Sequence, residues 1–220
     1  MNRAGDGRGA GRFRYGAVLL LTLAVAIFAL VAPDGSAVRT LELLACGATL
    51  LVAVLTSRAP AATRRSAAVS VAIVVAGAGI AAAIGAAHAA LTFAGTAVLL
   101  AVTAGVILAG LVRLIIERGV VLQAVFGALA VYVLVGLTFS FVIGALATGV
   151  SGPYFAQGTD ATQSARAYFS FTTLTTTGFG DYTAATRGGR ALAVLEMLLG
   201  QLYLVTVIGL LVGNLRRQRT

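Results

Sequence analysis

TTLTTTGFGDYT, residues Thr172–Thr183, interrupts an otherwise apolar chain with hydroxyls, two glycines and an acid. Five of its first six residues are threonine, and Gly178 and Gly180 flank Phe179 just before Asp181. Long apolar runs lie on both sides. Non-helical backbone at membrane depth is tolerated only where protein buries it or where it lines a watery cavity. A short helix followed by a Gly-x-Gly strip, held between two spans, suits the second case. The preceding stretch ARAYFSFTTLT, Ala165 to Thr175, mixes small, aromatic and hydroxyl residues in a helix-compatible way. Glycine allows positive φ, so carbonyls of successive residues can be turned toward one line. Rings of such oxygens can replace the hydration shell of a cation.

Composition sets the surroundings. The chain has 220 residues, 59% hydrophobic and only 10% charged, whereas a soluble domain carries about 25% charged residues. The expectation is an integral membrane protein. All sixteen basic residues are arginine against seven acids, a net charge of +9. Such a balance can signal nucleic acid, but these arginines sit in short loops between apolar runs, which is a topology signal, so no nucleic-acid partner is expected. Cys46 is the only cysteine and is read as a small core residue. His88, the single histidine, lies among alanines where two spans meet. No His/Glu or His/Cys pairing with metal spacing, Walker loop or Ser–His combination is visible, so an enzyme is not expected.

A helix needs about 20 apolar residues to cross the hydrocarbon core. Six stretches qualify: about Tyr15–Ala32, Leu41–Leu55, Ala67–Ala87, Ala89–Val112, Val120–Leu146 and Ala191–Leu215. Cytoplasmic loops carry the excess of basic residues. With the N-terminus inside, the inner segments hold twelve arginines and the outer segments four. That split fits six spans with both termini cytoplasmic, in the plasma membrane. The first span follows a basic tail and precedes Gly35-Ser36-Ala37, as a signal peptide would. Its apolar core exceeds the usual 7–15 or so residues, so a retained helix is expected.

With these elements placed, TTGFGD at Thr176–Asp181 resembles the signature of potassium channels, usually written TVGYG. AYFSFTTLT resembles that family's pore helix, with aromatic residues forming a cuff around the filter. Gly200, nineteen residues after Asp181, falls where the family's inner helix commonly carries a hinge glycine. The resemblance covers about Val120 to Leu215. It implies that carbonyls of Thr176, Thr177, Gly178 and Phe179 form the potassium sites, with the Thr176 hydroxyl adding to the innermost one. Gly180 would supply the turn at the outer mouth. Asp181 would tie the filter to the pore helix, with Thr172 and Tyr168 the nearest candidate partners. Thr177 stands where the family mostly has Val or Ile, and Phe179 replaces the usual Tyr.

The implied fold is an all-α membrane protein of six transmembrane helices, with a re-entrant pore helix and filter loop between the fifth and sixth. A basic tail (1–14) precedes a four-helix region (15–118). A pore domain (119–215) follows, with outer helix 120–146, pore helix about 165–175, filter 176–181 and inner helix 191–215, before a short basic tail (216–220). One filter strip per chain implies a homotetramer, since one strand cannot surround an ion. Potassium is the permeant species, and no cofactor is expected. Between Ala89 and Val112 there is no charged residue, so a charged voltage sensor is not expected. A ligand-sensing role would need a separate regulatory subunit. Glu196, one turn before Gly200, could sit near the cavity or behind the filter. The competing readings are a weakly selective cation channel, and, in another class, a secondary transporter or a non-conducting accessory membrane protein.

Overall fold

The computed structural model describes residues 15–57, 65, 89–209, 211 and 213. The tail at 1–14, the third expected span at 67–87, His88 and residues 216–220 lie outside the described residues. Those described form α1 (Tyr15–Val31), α2 (Ser36–Ser57), α3 (Ala89–Arg118), α4 (Leu122–Gly149), α5 (Gln163–Leu174) and α6 (Arg187–Tyr203). A π-helical turn, Leu204–Ile208, continues α6. Four segments are long and apolar enough to cross a membrane: Ala37–Thr56, Ala89–Arg118, Leu122–Gly149 and Arg187–Ile208. α1 is a shorter apolar helix of 17 residues. The fold is therefore an all-α membrane protein, with the short α5 held between α4 and α6.

The centre of the fold is α4, which packs against α1, α3, α5 and α6. Three of its glycines explain how neighbours come so close. A Cβ at Gly127 would lie 3.3 Å from the Tyr15 ring of α1, and one at Gly136 would lie 2.6 Å from Phe171 of α5. At Gly144 it would lie 2.9 Å from Phe93 of α3. Each missing side chain receives an aromatic ring from a different helix, as small residues at membrane helix interfaces permit. Four buried threonines in this apolar setting are satisfied locally. Thr22, Thr49, Thr96 and Thr103 each donate to the carbonyl four residues earlier, at 2.7–2.9 Å, which offsets the cost of a hydroxyl in hydrocarbon.

Several boundaries extend beyond the apolar runs, because hydrogen bonding rather than hydropathy ends a helix. α3 continues to Arg118, where Gly119 takes φ +70 and its N–H bonds the Ile115 carbonyl at 2.9 Å, a left-handed glycine cap. Arg113 therefore lies on the helix and pairs with Glu117 at 2.7 Å. α6 begins at Arg187 rather than 191: the Thr186 hydroxyl caps Gly189 N–H at 3.0 Å, and Arg190 Nε donates to Ala184 O at 3.2 Å. These two arginines complete the first helical turn instead of occupying a loop.

Candidate functional site

The site is built on α5, twelve residues long and anchored firmly at its start. Thr162 is its N-cap, the hydroxyl accepting from Ala165 N–H at 3.1 Å. Asp34, in the α1–α2 corner, accepts from Gln163 N–H at 3.1 Å, and the Ser164 hydroxyl donates to Leu30 O at the end of α1. Orphan N–H groups of a first helical turn need such partners. Arg166 is buried in the same turn. Its guanidinium donates to the carbonyls of Asp160 and Ala161, both at 2.9 Å, and lies 5.1 Å over the Phe93 ring.

At the other end, Thr175 caps α5 and the strip turns back on it. Thr176 N–H donates to Thr173 O at 2.9 Å. Thr177 and Gly178 N–H both donate to Thr172 O, at 2.8 and 3.1 Å. Positive φ then falls on every second residue: Thr176 at +57, Gly178 at +51 and Gly180 at +83, with Thr177 and Phe179 on the ordinary side. Alternation of right- and left-handed residues places N–H groups on one side and carbonyls on the other. Among the described residues, none donates a hydrogen bond to the carbonyls of Thr176, Thr177, Gly178, Phe179 or Gly180, and all five residues are exposed. Five successive carbonyls without a protein donor are open to water or to a cation.

Thr176 is the strained member. A β-branched residue at positive φ is a genuine outlier and costs on the order of 1–3 kcal/mol, sustained only where surrounding contacts over-determine it. Two do so here: the backbone bond to Thr173, and Gln201 Nε2 of α6, which donates to Thr176 Oγ1 at 2.9 Å. Thr177 Oγ1 lies 2.9 Å from Thr175 Oγ1, whose own proton goes to Phe171 O at 2.7 Å. Thr177 is thus the donor, and its hydroxyl is tied locally.

The outer end is braced by aromatics and by one amide. The Tyr168 ring stacks on Phe179 at 6.1 Å with planes 6° apart. Thr172 supports the strip differently: its hydroxyl turns back to Phe169 O at 2.9 Å, and its carbonyl takes the two N–H groups. Phe155 sits edge-on to Tyr154, Tyr182 and Phe169, at 4.9, 5.1 and 5.2 Å. Burial pushes the Tyr154 phenol up to about 12. Gln157 clamps the segment beyond Asp181, donating to Asp181 O at 2.8 Å and accepting from Thr183 N–H at 3.3 Å.

On the inner side, α6 meets the end of α5 at Gly200. A Cβ there would lie 2.3 Å from Leu174 O, an oxygen that Tyr132 also reaches at 3.4 Å. Glu196 is fully buried, away from the exposed side of the strip. Its Oε1 lies 2.5 Å from the Ser170 hydroxyl, which also bonds Gly136 O at 2.6 Å. The carboxyl therefore backs α5, linking α6, α5 and α4. The sequence reading left out Gln157, Ser170, Asp34 and the reach of Gln201. Only Gln201 carries a signal, being adjacent to Gly200.

Comparison with known proteins bears on this half of the chain. Residues 129–217 match a family model described as "Ion channel". No curated protein and no solved structure matches. The ion-channel match runs from within α4 through α5, the strip and α6, so it takes in the whole arrangement described above. With the membrane helices, it supports an ion channel that moves ions across a bilayer and points away from an enzyme.

Proposed function

We propose that the protein conducts potassium ions passively through a pore lined by Thr176, Thr177, Gly178, Phe179 and Gly180, contributed by each chain of a C4 homotetramer in the plasma membrane, with both termini cytoplasmic. The observation that carries this reading is the run of five carbonyls left without donors by alternating φ signs. Replacing a cation's water shell with fixed carbonyl oxygens is how such filters work. The Thr176 hydroxyl extends the ligand column at its inner end. Asp181 and Tyr168 hold the outer end, while Thr172 and Glu196 back the strip from α5 and α6.

One strip cannot encircle an ion, and the chain presents an uncovered face for partners. Leu195, Leu198, Leu199 and Leu202 of α6 and Val205 of the π-turn are all exposed, as is Phe179 at the strip. A closed ring of heterologous contacts covers such a face on every copy. Gating is assigned to α6, where Gly200 and the π-turn Leu204–Ile208 lie within two turns of each other. π-turns are sites where helices bend.

A weakly selective cation channel is the second reading. Phe179 stacks on Tyr168 without a hydroxyl to fix it, and Thr177 brings a second hydroxyl to the strip. Bi-ionic reversal potentials of the purified protein in liposomes separate the two. A reversal potential near that of potassium supports selectivity, and equal sodium and potassium permeability refutes it.

A further inference from the structure

Gln201 follows Gly200 at the point where α6 comes nearest to the end of the pore helix. The missing side chain at 200 lets the α6 backbone press against the Leu174 carbonyl, where a Cβ would stand 2.3 Å from that oxygen. The next residue is thereby brought within reach of the strip, and its amide nitrogen lies 2.9 Å from Thr176 Oγ1. This hydroxyl belongs to the one non-glycine residue of the strip held at positive φ. Close approach at 200 and the bond at 201 are separate observations, and both bring α6 to the strip's inner end.

We propose that Gln201 is a positioning residue for the innermost cation site, holding the Thr176 hydroxyl oxygen toward the pore and setting how tightly that site takes a cation entering from the α6 side. The inference rests on the reading of Thr176–Gly180 as the ion path. An amide N–H donating to the hydroxyl occupies one of its two lone-pair directions. The hydroxyl's own proton then points away from the remaining lone pair, which is left for the ion. Without the amide, Thr176 Oγ1 is free to rotate and to spend that lone pair on water. The amide also ties the filter to the helix that carries the gating elements, so a rotation of α6 at Gly200 withdraws the donor from the innermost site.

The test uses the full chain in planar bilayers, with potassium varied separately on each side. Gln201→Met keeps the length and apolar bulk without the amide, and Gln201→Asn keeps the amide one methylene short. Both are expected to raise the half-saturating potassium concentration about threefold to tenfold, the equivalent of one hydrogen bond. The shift should appear only when potassium is varied on the α6 side. A Thr176→Ala, Gln201→Met double-mutant cycle should be non-additive, because the amide acts through the hydroxyl. A purely structural role for Gln201 would lower thermal stability with no sidedness and with additive effects. Saturation identical to the unmodified chain in both variants, or additive changes, overturns the proposal while leaving the pore reading intact. An unmodified chain that passes no cation overturns the pore reading, and this proposal with it.

Discussion

Replacing Gly200 with alanine tests whether this glycine is required by packing. The added Cβ would lie 2.3 Å from Leu174 O, 2.9 Å from Leu174 Cδ1 and 3.2 Å from Leu174 C, against ordinary contact beginning at 3.4 Å. The leucine side chain can turn aside, but the carbonyl ends the pore helix and must itself move by about 1 Å. Close-packed interiors transmit such shifts rather than absorb them. Overpacking costs about 1–3 kcal/mol, offset by about 0.8–1.0 kcal/mol from the better helix propensity of alanine. The expected net loss is about 0–2 kcal/mol per copy, accompanied by a weakened cation flux, because Thr175 and the strip follow directly. Gly105→Ala on α3 is the control, since nothing lies within 4 Å of that position, and it should be neutral or slightly stabilising. Thermal unfolding in detergent, followed by circular dichroism, measures both. If Gly200 serves only as a hinge, alanine will leave the melting midpoint where it was and change only the open fraction. A Gly200→Ala midpoint equal to that of Gly105→Ala would refute the packing argument.

Three further outcomes follow from named contacts. Asp34→Ala removes the acceptor at Gln163 N–H and should cost about 0.5–2 kcal/mol, as lost N-terminal caps do; unchanged amide exchange at Gln163 would contradict it. Phe179→Tyr adds a hydroxyl at a ring already stacked on Tyr168, and one bond worth about 0.5–1.5 kcal/mol per copy should shift bi-ionic reversal potentials toward potassium. A shift the other way would show that the added hydroxyl finds no partner. Glu196→Gln keeps a group able to bond the Ser170 hydroxyl and should stay within about 1 kcal/mol of the unmodified chain. Glu196→Ala empties a fully buried position and should cost about 2–4 kcal/mol, so equal melting midpoints for the two would argue against a packed bridge.

The strip itself was legible because its residues announce their backbone: glycine at 178 and 180 is what positive φ requires, and both take it. The start of the pore helix was placed two residues late, at 165 instead of Gln163, because its cap is a threonine in a loop rich in polar residues. The extent of α6 was misjudged for a related reason. Arg187 and Arg190 look like loop charges by hydropathy, yet Thr186 and the Ala184 carbonyl draw them into a first turn. Contacts across long separations were not legible. Asp34 and Gln163 are 129 positions apart, and no periodicity predicts that a corner between two spans caps a third helix. The burial of Glu196 was undecidable from spacing, since position 196 shares a helical face with Gly200 whichever way that face turns.

α5 is gripped at its two ends by different parts of the molecule. Asp34 and Leu30, in the α1–α2 corner, hold its first turn. Gly200 and Tyr132 converge on its last carbonyl, one residue before Thr175. Twelve helical residues make a rod of about 18 Å, and the carbonyls of Thr172 and Thr173 near its end receive the N–H groups that shape the strip. On the proposed pore reading, a displacement of the α1–α2 corner would push on the helix whose carbonyls shape the strip. Coupling between distant sites also requires an element with two arrangements. The gating proposed above would place that element in α6 beyond Gly200, where the π-turn at Leu204–Ile208 departs from regular helix. Gln201 lies between the two, bonded to Thr176, and on the proposed reading a stimulus entering at either end of α5 would act on that same hydroxyl.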